Sequence, residues 1–273
     1  HKGCPMPQEK IKLRSLRGLY NGLRDLLHGW SFYIPRSYKR TQDTSGYKTI
    51  AAFNTAIKER PELKEINLHR IENMHLAASI LDGITLEPKM IFSLRKALGN
   101  PNKDDRFKSG PTLIKGRLKF SSGGGLCQVS TTLFNCALVS GLKIIEKHNH
   151  SVDIWQDKRM IGLGRDAVFA YYLRDLKFQN TLPFPVVLNL SADSKRMLFS
   201  CSVNSAEAYT PDISVSTEII KKITLLSPKG PAELIPGWLV KTVRTEKRGG
   251  KEAKTYIHKD YYRPLAKIKG ESL

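Results

Sequence analysis

The sequence is poor in cysteine and has no long hydrophobic run. Its four cysteines, Cys4, Cys127, Cys136 and Cys201, are scattered over 273 residues and form no C-x-x-C pair. So few cysteines in a chain of this length do not make a disulfide framework, and we expect free thiols. No run of about 18 apolar residues is present, so we expect no transmembrane segment. No nucleic-acid-binding motif is recognisable, and we expect no specific nucleic-acid partner.

Acidic residues are also scarce relative to basic ones, and the net charge is +20. Residues 1–60 carry 12 Lys/Arg against 4 Asp/Glu, and residues 221–273 carry 13 against 5, so each end contributes +8. A basic surface attracts polyanions such as anionic lipid or an anionic cell-wall polymer. A solvated basic surface without a specific partner is the alternative that stays open.

The composition is that of a folded chain. A hydrophobic content of 40% supports a core, in one large domain or two small ones. The chain begins at His1 rather than Met. We therefore expect a protein that faces the cell envelope if an export signal has been removed, and a cytoplasmic protein otherwise.

The first third of the sequence has helical periodicity. Residues Gln8 to Leu27 place leucines and Ile11 at helical spacing with Lys and Arg between them, which predicts a basic amphipathic helix. We expect its apolar stripe to pack against the domain, with an anionic membrane surface as the alternative. Thr49 to Arg60 and Leu68 to Leu81 are predicted to be two further helices.

Strands are predicted after these helices. Two short strand candidates, Ile84 to Phe92 and Pro111 to Phe120, precede a helix that contains Cys127. Period-2 alternation then predicts an antiparallel meander from Leu142–Trp155, Asp166–Leu173, Asp175–Gln179, Phe184–Ala192 and Lys195–Val203. Beyond it we predict a long strand at Ile213–Leu226 and a hairpin around Gly249-Gly250. The predicted fold is α+β: N-terminal helices and the cysteine-bearing helix pack on the meander, and the hairpin follows.

The stretch from Ser121 to Asn135, S-S-G-G-G-L-C-Q-V-S-T-T-L-F-N, is the most informative part of the chain. Gly123, Gly124 and Gly125 allow positive φ and close approach to a ligand. Cys127 would lie in the first turn of the next helix, where free N–H groups and the helix dipole favour a thiolate. The alternative is a tight glycine loop followed by a cysteine packed in the core.

Two downstream motifs bear on Cys127. His148-Asn149-His150 ends a predicted strand, and Gly164-Arg165-Asp166-Ala167 begins the next one. A cysteine at a helix start, a histidine, and a polar group that orients the imidazole are the residues that thiol nucleophilic catalysis uses. Spacing alone does not bring them together. A zinc site formed by His148, His150 and Cys127 is a further alternative, although no second metal-binding motif accompanies it.

The motifs G-G-G-L-C-Q-V-S-T-T-L-F-N, H-N-H, G-R-D-A and D-L-K-F-Q-N together resemble the VanW family, named from vancomycin-resistance clusters. The resemblance implies a VanW-like core domain in residues 61–210, between a basic helical segment (1–60) and a C-terminal β extension (211–273). Lys89 departs from the family, whose members commonly have glycine after this proline. Of the two histidines, His150 corresponds better to the family histidine.

The resemblance implies a role in cell-wall metabolism, as a cysteine-dependent acyl transferase similar to L,D-transpeptidases. Its substrate would be a peptidoglycan stem peptide or precursor, and no cofactor or metal is expected. Cys127 would be the nucleophile, His150 the general base and Asp166 its orienting group, with an oxyanion hole formed by the N–H groups of Cys127 and Gln128.

Substrate binding is predicted for the three glycines, Gln128, Arg165 and His148. Arg165 could instead form a structural ion pair. A non-catalytic wall-binding or resistance-accessory protein is the alternative function.

Overall fold

The computed structural model describes residues 8–59, 64–114, 117–225 and 232–268, and within these ranges the chain has an α+β fold. Cys4 lies outside the described residues. The helices are α1 (Gln8–Leu27), α2 (Lys64–Leu81), α3 (Leu94–Leu98) and α4 (Leu126–Val139). None of the described helices has both the length and the apolar content needed to cross a bilayer.

A four-stranded antiparallel sheet forms the centre of the molecule. Its strands are β1 (Lys48–Ala56), β2 (Ile84–Leu86), β8 (Val186–Asp193) and β9 (Leu198–Ser205), in the order β1-β9-β8-β2. Helix α4 packs against β1 and β9, and α2 packs against β8. Helix α4 is buried from Gln128 to Leu138, as expected of a helix with apolar or small residues all round. The helix that begins beside Cys127 is therefore fixed rigidly in the core.

The helix predicted from Thr49 to Arg60 is wrong. Residues 48–56 form β1, which pairs with β9 along its length, for example Phe53 with Cys201. The alanines of this segment favour a helix locally, but pairing with a distant strand outweighs that propensity. Because β1 belongs to the central sheet, the basic segment 1–60 is not helical throughout.

A second antiparallel sheet has the order β3-β7-β6 and is formed by β3 (Ile91–Ser93), β7 (Lys177–Gln179) and β6 (Lys143–Glu146). The predicted single meander is therefore wrong, because β8 and β9 pair in the central sheet while β6 and β7 pair here. The strand predicted from Leu142 to Trp155 ends at Glu146. Residues 166–173 form only an isolated bridge, at Ala170. His150 and Asp166 thus lie in irregular segments rather than on strands.

Two hairpins flank these sheets. Strands β4 (Ser109–Ile114) and β5 (Arg117–Ser122) pair just before α4, where one strand had been predicted. At the C-terminal end, β10 (Asp212–Ile223), β12 (Gly237–Arg248) and β13 (Lys251–Tyr262) form a three-stranded sheet, and β11 (Ala232–Ile235) pairs with β14 (Leu265–Ile268). The predicted hairpin is confirmed, since Gly249 and Gly250, with φ of 53° and 77°, join β12 to β13. The division at residue 210 stays a prediction.

Two local features concern positions discussed from the sequence, Lys89 and the apolar stripe of α1. Lys89, the residue that stands where relatives commonly have glycine, has a φ of 69°, in the left-handed region that favours glycine. Helix α1 forms as predicted, but its apolar stripe does not pack against the domain. Leu19, Leu23 and Leu27 are 68%, 56% and 76% exposed, so that expectation is wrong.

Candidate active site

The three glycines before α4 are packed against protein atoms. Gly123 and Gly125 have φ of 86° and 97°, and Gly125 is the N-cap of α4. A Cβ atom on Gly125 would lie 3.0 Å from the carbonyl oxygen of Arg70, and one on Gly110 would lie 2.9 Å from Cα of Gly124. The side-chain amide of Asn73 donates to the carbonyl of Gly124 at 2.9 Å. The protein's own backbone therefore approaches Gly124 and Gly125 closely, and the contact of the three glycines with a substrate stays a prediction.

Cys127 lies in the first turn of α4 and is partly exposed. Its Sγ lies 3.8 Å from the carbonyl oxygen of Phe169, and the nearby imidazole of His150 acts on the pKa of the thiol. The start of α4 also places the positive end of the helix dipole beside the sulfur atom. The cysteine is thus partly accessible, unlike Cys136 and Cys201, which are buried.

A buried carboxylate holds His150 in place. Nδ1 of His150 lies 2.6 Å from Oδ2 of Asp166, and the backbone N–H of His150 donates to the same oxygen at 2.8 Å. Because Nδ1 is occupied in this way, Nε2 is the nitrogen available to the thiol. Cys127, His150 and Asp166, here named the Cys127 triplet, are therefore brought together in the order that the sequence predicted.

The electrostatics of the Cys127 triplet favour a thiolate paired with an imidazolium. Burial raises the pKa of Cys127, but the hydrogen bond and charge of His150 together lower that pKa below its ordinary value. Burial lowers the pKa of His150, while its hydrogen bonds to Asp166 and Cys127 raise that pKa to about 10. Burial raises the pKa of Asp166, yet the hydrogen bond from His150 holds it well below its usual range. We therefore expect a charged histidine and an enlarged thiolate fraction at neutral pH.

The C-terminal sheet contributes a residue that sequence reasoning missed. The hydroxyl of Tyr262, at the end of β13, donates to Oδ1 of Asp166 and accepts the backbone N–H of Gly164 at 2.8 Å. Lys147 lies buried nearby, 2.6 Å from Asp260, and its charge also lowers the pKa of Asp166. No sequence motif marks Tyr262, which is 96 positions from the carboxylate it contacts.

His148 lies apart from the triplet. Its Nε2 is 2.8 Å from Oε1 of Glu146, whose other oxygen lies 3.0 Å from Nζ of the buried Lys177. Asp25 and Arg24 of α1 complete this group, here named the charge cluster: Arg24, Asp25, Glu146, His148 and Lys177. Burial raises the pKa of Glu146, but His148, Lys177 and Arg24 lower it to about 2. Among the described residues no group of three or more His, Cys, Asp or Glu side chains could hold a metal ion, so the zinc alternative finds no site there, and the substrate contact of His148 stays a prediction.

Gln128 and Arg165 are also engaged within the protein. The buried amide of Gln128 donates to Thr55 and to the carbonyl of Ala56, both at 3.0 Å. Its backbone N–H donates to the carbonyl of Gly125 at 2.9 Å, which leaves only the Cys127 N–H of the predicted oxyanion hole. Nε of Arg165 donates to Asn135 at 2.6 Å, eight residues along α4 from Cys127. Arg165 therefore forms a hydrogen bond to α4, and no ion pair of Arg165 is seen within the described ranges; its contact with a substrate stays a prediction.

A cleft of about 470 Å³ lies between β6 and β13. Its walls are residues 143–147 and 255–258, and no member of the Cys127 triplet lines it. A substrate of Cys127 would therefore have to approach the exposed side of the thiol and not this cleft.

This arrangement, on an α+β scaffold, defines a candidate thiol site. Residues 69–201 match the family model described as "VanW like protein", so this part of the chain is similar to the VanW family. It is 29% identical over 168 residues to the uncharacterized protein YoaR of Bacillus subtilis (strain 168), which covers 62% of this chain and 50% of that protein.

It is also 30% identical over 131 residues to the vancomycin B-type resistance protein VanW of Enterococcus faecalis (strain ATCC 700802 / V583). That alignment covers 48% of each chain. The chain thus spans about half the length of the curated relatives it matches. No solved structure matches the chain significantly.

Proposed function

We propose that this protein is a cysteine-dependent acyl transferase that acts on the stem peptides of peptidoglycan. The observation that carries the proposal is the partly exposed Cys127 thiol at the start of α4, whose pKa is lowered by His150, a histidine that Asp166 holds by two contacts. The substrate class rests on the family, because one relative is a vancomycin resistance protein and the resemblance implies a role in the cell wall.

In the proposed reaction the thiolate of Cys127 attacks the carbonyl carbon of a stem-peptide amide. As the C–N bond breaks, the His150 imidazolium gives its proton to the leaving amine, and a thioester to Cys127 remains. An acceptor amine then attacks the thioester, the neutral His150 takes a proton from that amine, and the C–S bond breaks to restore the thiolate. If water replaces the amine, the product is a carboxylic acid.

The raised pKa of His150 refines the role predicted from the sequence. An imidazolium with a pKa of about 10 is charged at neutral pH, so it cannot first act as a base. It instead stabilises the thiolate as a cation, acts as an acid in the first step, and acts as a base only in the second. The N–H of Cys127 and the start of α4 would stabilise the oxyanion.

The alternative of a non-catalytic protein that holds a wall ligand in its glycine loop has less support. Gly124 and Gly125 already contact Asn73 and Arg70, so little space remains there for a ligand.

For the basic ends of the chain we propose binding to an anionic wall polymer or membrane surface. Because exposed charges are screened over about 10 Å at 0.1 M salt, retention on such a polymer should fall as salt is added. Unchanged retention would contradict this binding.

The direct test is mass spectrometry of the intact protein after incubation with purified muropeptides. We expect a mass increase equal to an acyl fragment, located on Cys127 by peptide mapping and absent from Cys127→Ala. Cys136→Ala is the matched control and should keep the adduct, because that thiol is buried. A folded protein with a reactive Cys127 but no adduct from any muropeptide would contradict the proposal and favour an accessory binding protein.

A further inference from the structure

Helix α1 exposes a continuous row of large apolar side chains. Their positions recur at intervals of three and four residues, which follow one face of a helix. The members of this row, here named the α1 apolar face, are between 54% and 76% exposed: Leu16, Leu19, Tyr20, Leu23, Leu26 and Leu27. Contiguous exposed apolar surface of this kind marks an interaction site rather than ordinary protein surface.

The opposite side of α1 is polar and buried. Asn21 and Asp25 are only 6% and 7% exposed, and at 100° per residue they lie across the helix from the apolar face. The carboxylate of Asp25 accepts from Nζ of the fully buried Lys177 at 2.7 and 2.6 Å, and Arg24 donates to Glu146. These contacts hold α1 against the domain by its polar side, so that the leucines point away from the protein.

Aromatic residues continue this surface beyond the end of α1. Phe32 is 81% exposed and Tyr33 is 46% exposed. The half-buried ring of Trp30 lies 5.7 Å from the guanidinium of Arg24 and 5.8 Å from Nζ of Lys177. Aromatic side chains beside a leucine-rich helical face are typical of segments that lie in a membrane interface.

The charge of this region restricts the partner. Residues 8–27 contain five basic residues against Glu9 and Asp25, and the charge of Asp25 is neutralised by Lys177. Arg36, Lys39 and Arg40 follow within the next residues. A second copy of the chain would bring two such basic segments together, which like-charge repulsion opposes. A surface that is anionic outside and apolar inside would attract the basic residues and would also bury the exposed leucines.

We propose that the α1 apolar face, together with Phe32, binds the surface of an anionic lipid bilayer. The helix would lie in the plane of the interface, with its leucines at the boundary between headgroups and acyl chains. The basic residues of the segment would contact the lipid phosphates. This binding is independent of the thiol chemistry proposed for Cys127.

The test is flotation of the full chain with vesicles of phosphatidylglycerol and phosphatidylcholine, compared with vesicles of phosphatidylcholine alone. We expect binding to the anionic vesicles and a weaker signal at high salt. The double variant Leu19→Glu, Leu23→Glu should bind at least about tenfold more weakly, because two exposed leucines no longer enter the interface. The control is Ile219→Glu, Ile257→Glu, at positions 55% and 56% exposed on the C-terminal sheet; it adds the same charge without changing the α1 apolar face, so it should bind more tightly than Leu19→Glu, Leu23→Glu.

Three results would overturn the proposal. One is equal binding of both double variants to anionic vesicles. Another is equal binding of the original chain to charged and uncharged vesicles. The third is dimerisation in sedimentation that the Leu19→Glu, Leu23→Glu variant abolishes while the original chain does not float, since a second copy would then cover the face. The Cys127 alkylation rate, measured in each variant, reports whether the variant is folded.

Discussion

The Cys127 triplet and the charge cluster each contain a histidine bonded to a carboxylate, and the two histidines are only two residues apart. Glu146 forms ion pairs with His148, Lys177 and Arg24, and no nucleophile takes part in them. Asp166 directs one oxygen to His150 and the other to the neutral Tyr262. The neighbours of the two carboxylates therefore differ in what they form. Those of Asp166 form a site with a transferable proton, whereas those of Glu146 form a cluster that joins α1, β6 and β7.

The largest effect on stability is expected in the charge cluster. Lys177→Met removes a buried cation that contacts the carboxylates of both Asp25 and Glu146. We expect the free energy of unfolding in urea to fall by about 3–5 kcal/mol, the cost of breaking a buried ion pair from one side. Arg106→Met is the control, because the Arg106 side chain is 65% exposed and its pair with Asp104 is screened by water, so the free energy of unfolding should hardly change. Similar losses in the two variants would mean that the cluster is not structural.

The two histidines should separate clearly in thiol reactivity. His150→Gln removes the cation beside Cys127, so the thiol pKa should return toward its ordinary value of about 8.5 and iodoacetamide alkylation at neutral pH should slow about tenfold or more. His148→Gln should leave the rate unchanged, since His148 contacts Glu146 and not the thiol. The measurement is the pseudo-first-order rate of Cys127 modification. An equal effect of both substitutions would contradict the distinction between the two pairs.

Substitution of Tyr262 should change the free energy of unfolding less than Lys177→Met does, and the alkylation rate of Cys127 less than His150→Gln does. Tyr262→Phe removes the hydroxyl that donates to Asp166, and we expect a loss of about 1–3 kcal/mol in unfolding free energy because a buried carboxylate oxygen loses its donor. Alkylation of Cys127 should slow less than in His150→Gln, because His150 keeps both contacts with Asp166. Tyr256→Phe is the matched control, since the Tyr256 hydroxyl has no hydrogen-bond partner in the described part of the chain. Equal unfolding free energies of Tyr262→Phe and Tyr256→Phe would show that the bond from Tyr262 to Asp166 does not stabilise the protein.

Sequence reasoning located the Cys127 triplet because its signals are local. A glycine run before a helix and a carboxylate after a turn can be read from neighbouring residues. Cys136 follows Cys127 by nine residues on α4 and is fully buried, so we expect its thiol to resist labelling.

Non-local pairing explains what the sequence did not predict. β1 was interpreted as a helix because its partner β9 lies about 150 residues further along the chain. Tyr262 reaches Asp166 only because the C-terminal sheet folds back, and Gln128 turns inward to meet β1. The outward leucines of α1 depend on the contact between Asp25 and Lys177, which no periodicity reveals.

The central claim is that Cys127 is a thiolate stabilised by a charged His150, and the pH dependence of alkylation tests it most directly. The lowered pKa of Cys127 means that the thiolate forms at lower pH than in a free cysteine. A histidine whose pKa is raised stays charged until the pH rises through that pKa, here about 10. The rate should therefore rise, reach a plateau below a pH of about 8.5, and hold it until His150 loses its proton. In His150→Gln the rise should move to the ordinary thiol range. An alkylation rate that still rises through the ordinary thiol pH range in the original protein would contradict a thiolate stabilised by a charged His150. A Cys127 that reacts only in denaturant would contradict it as well.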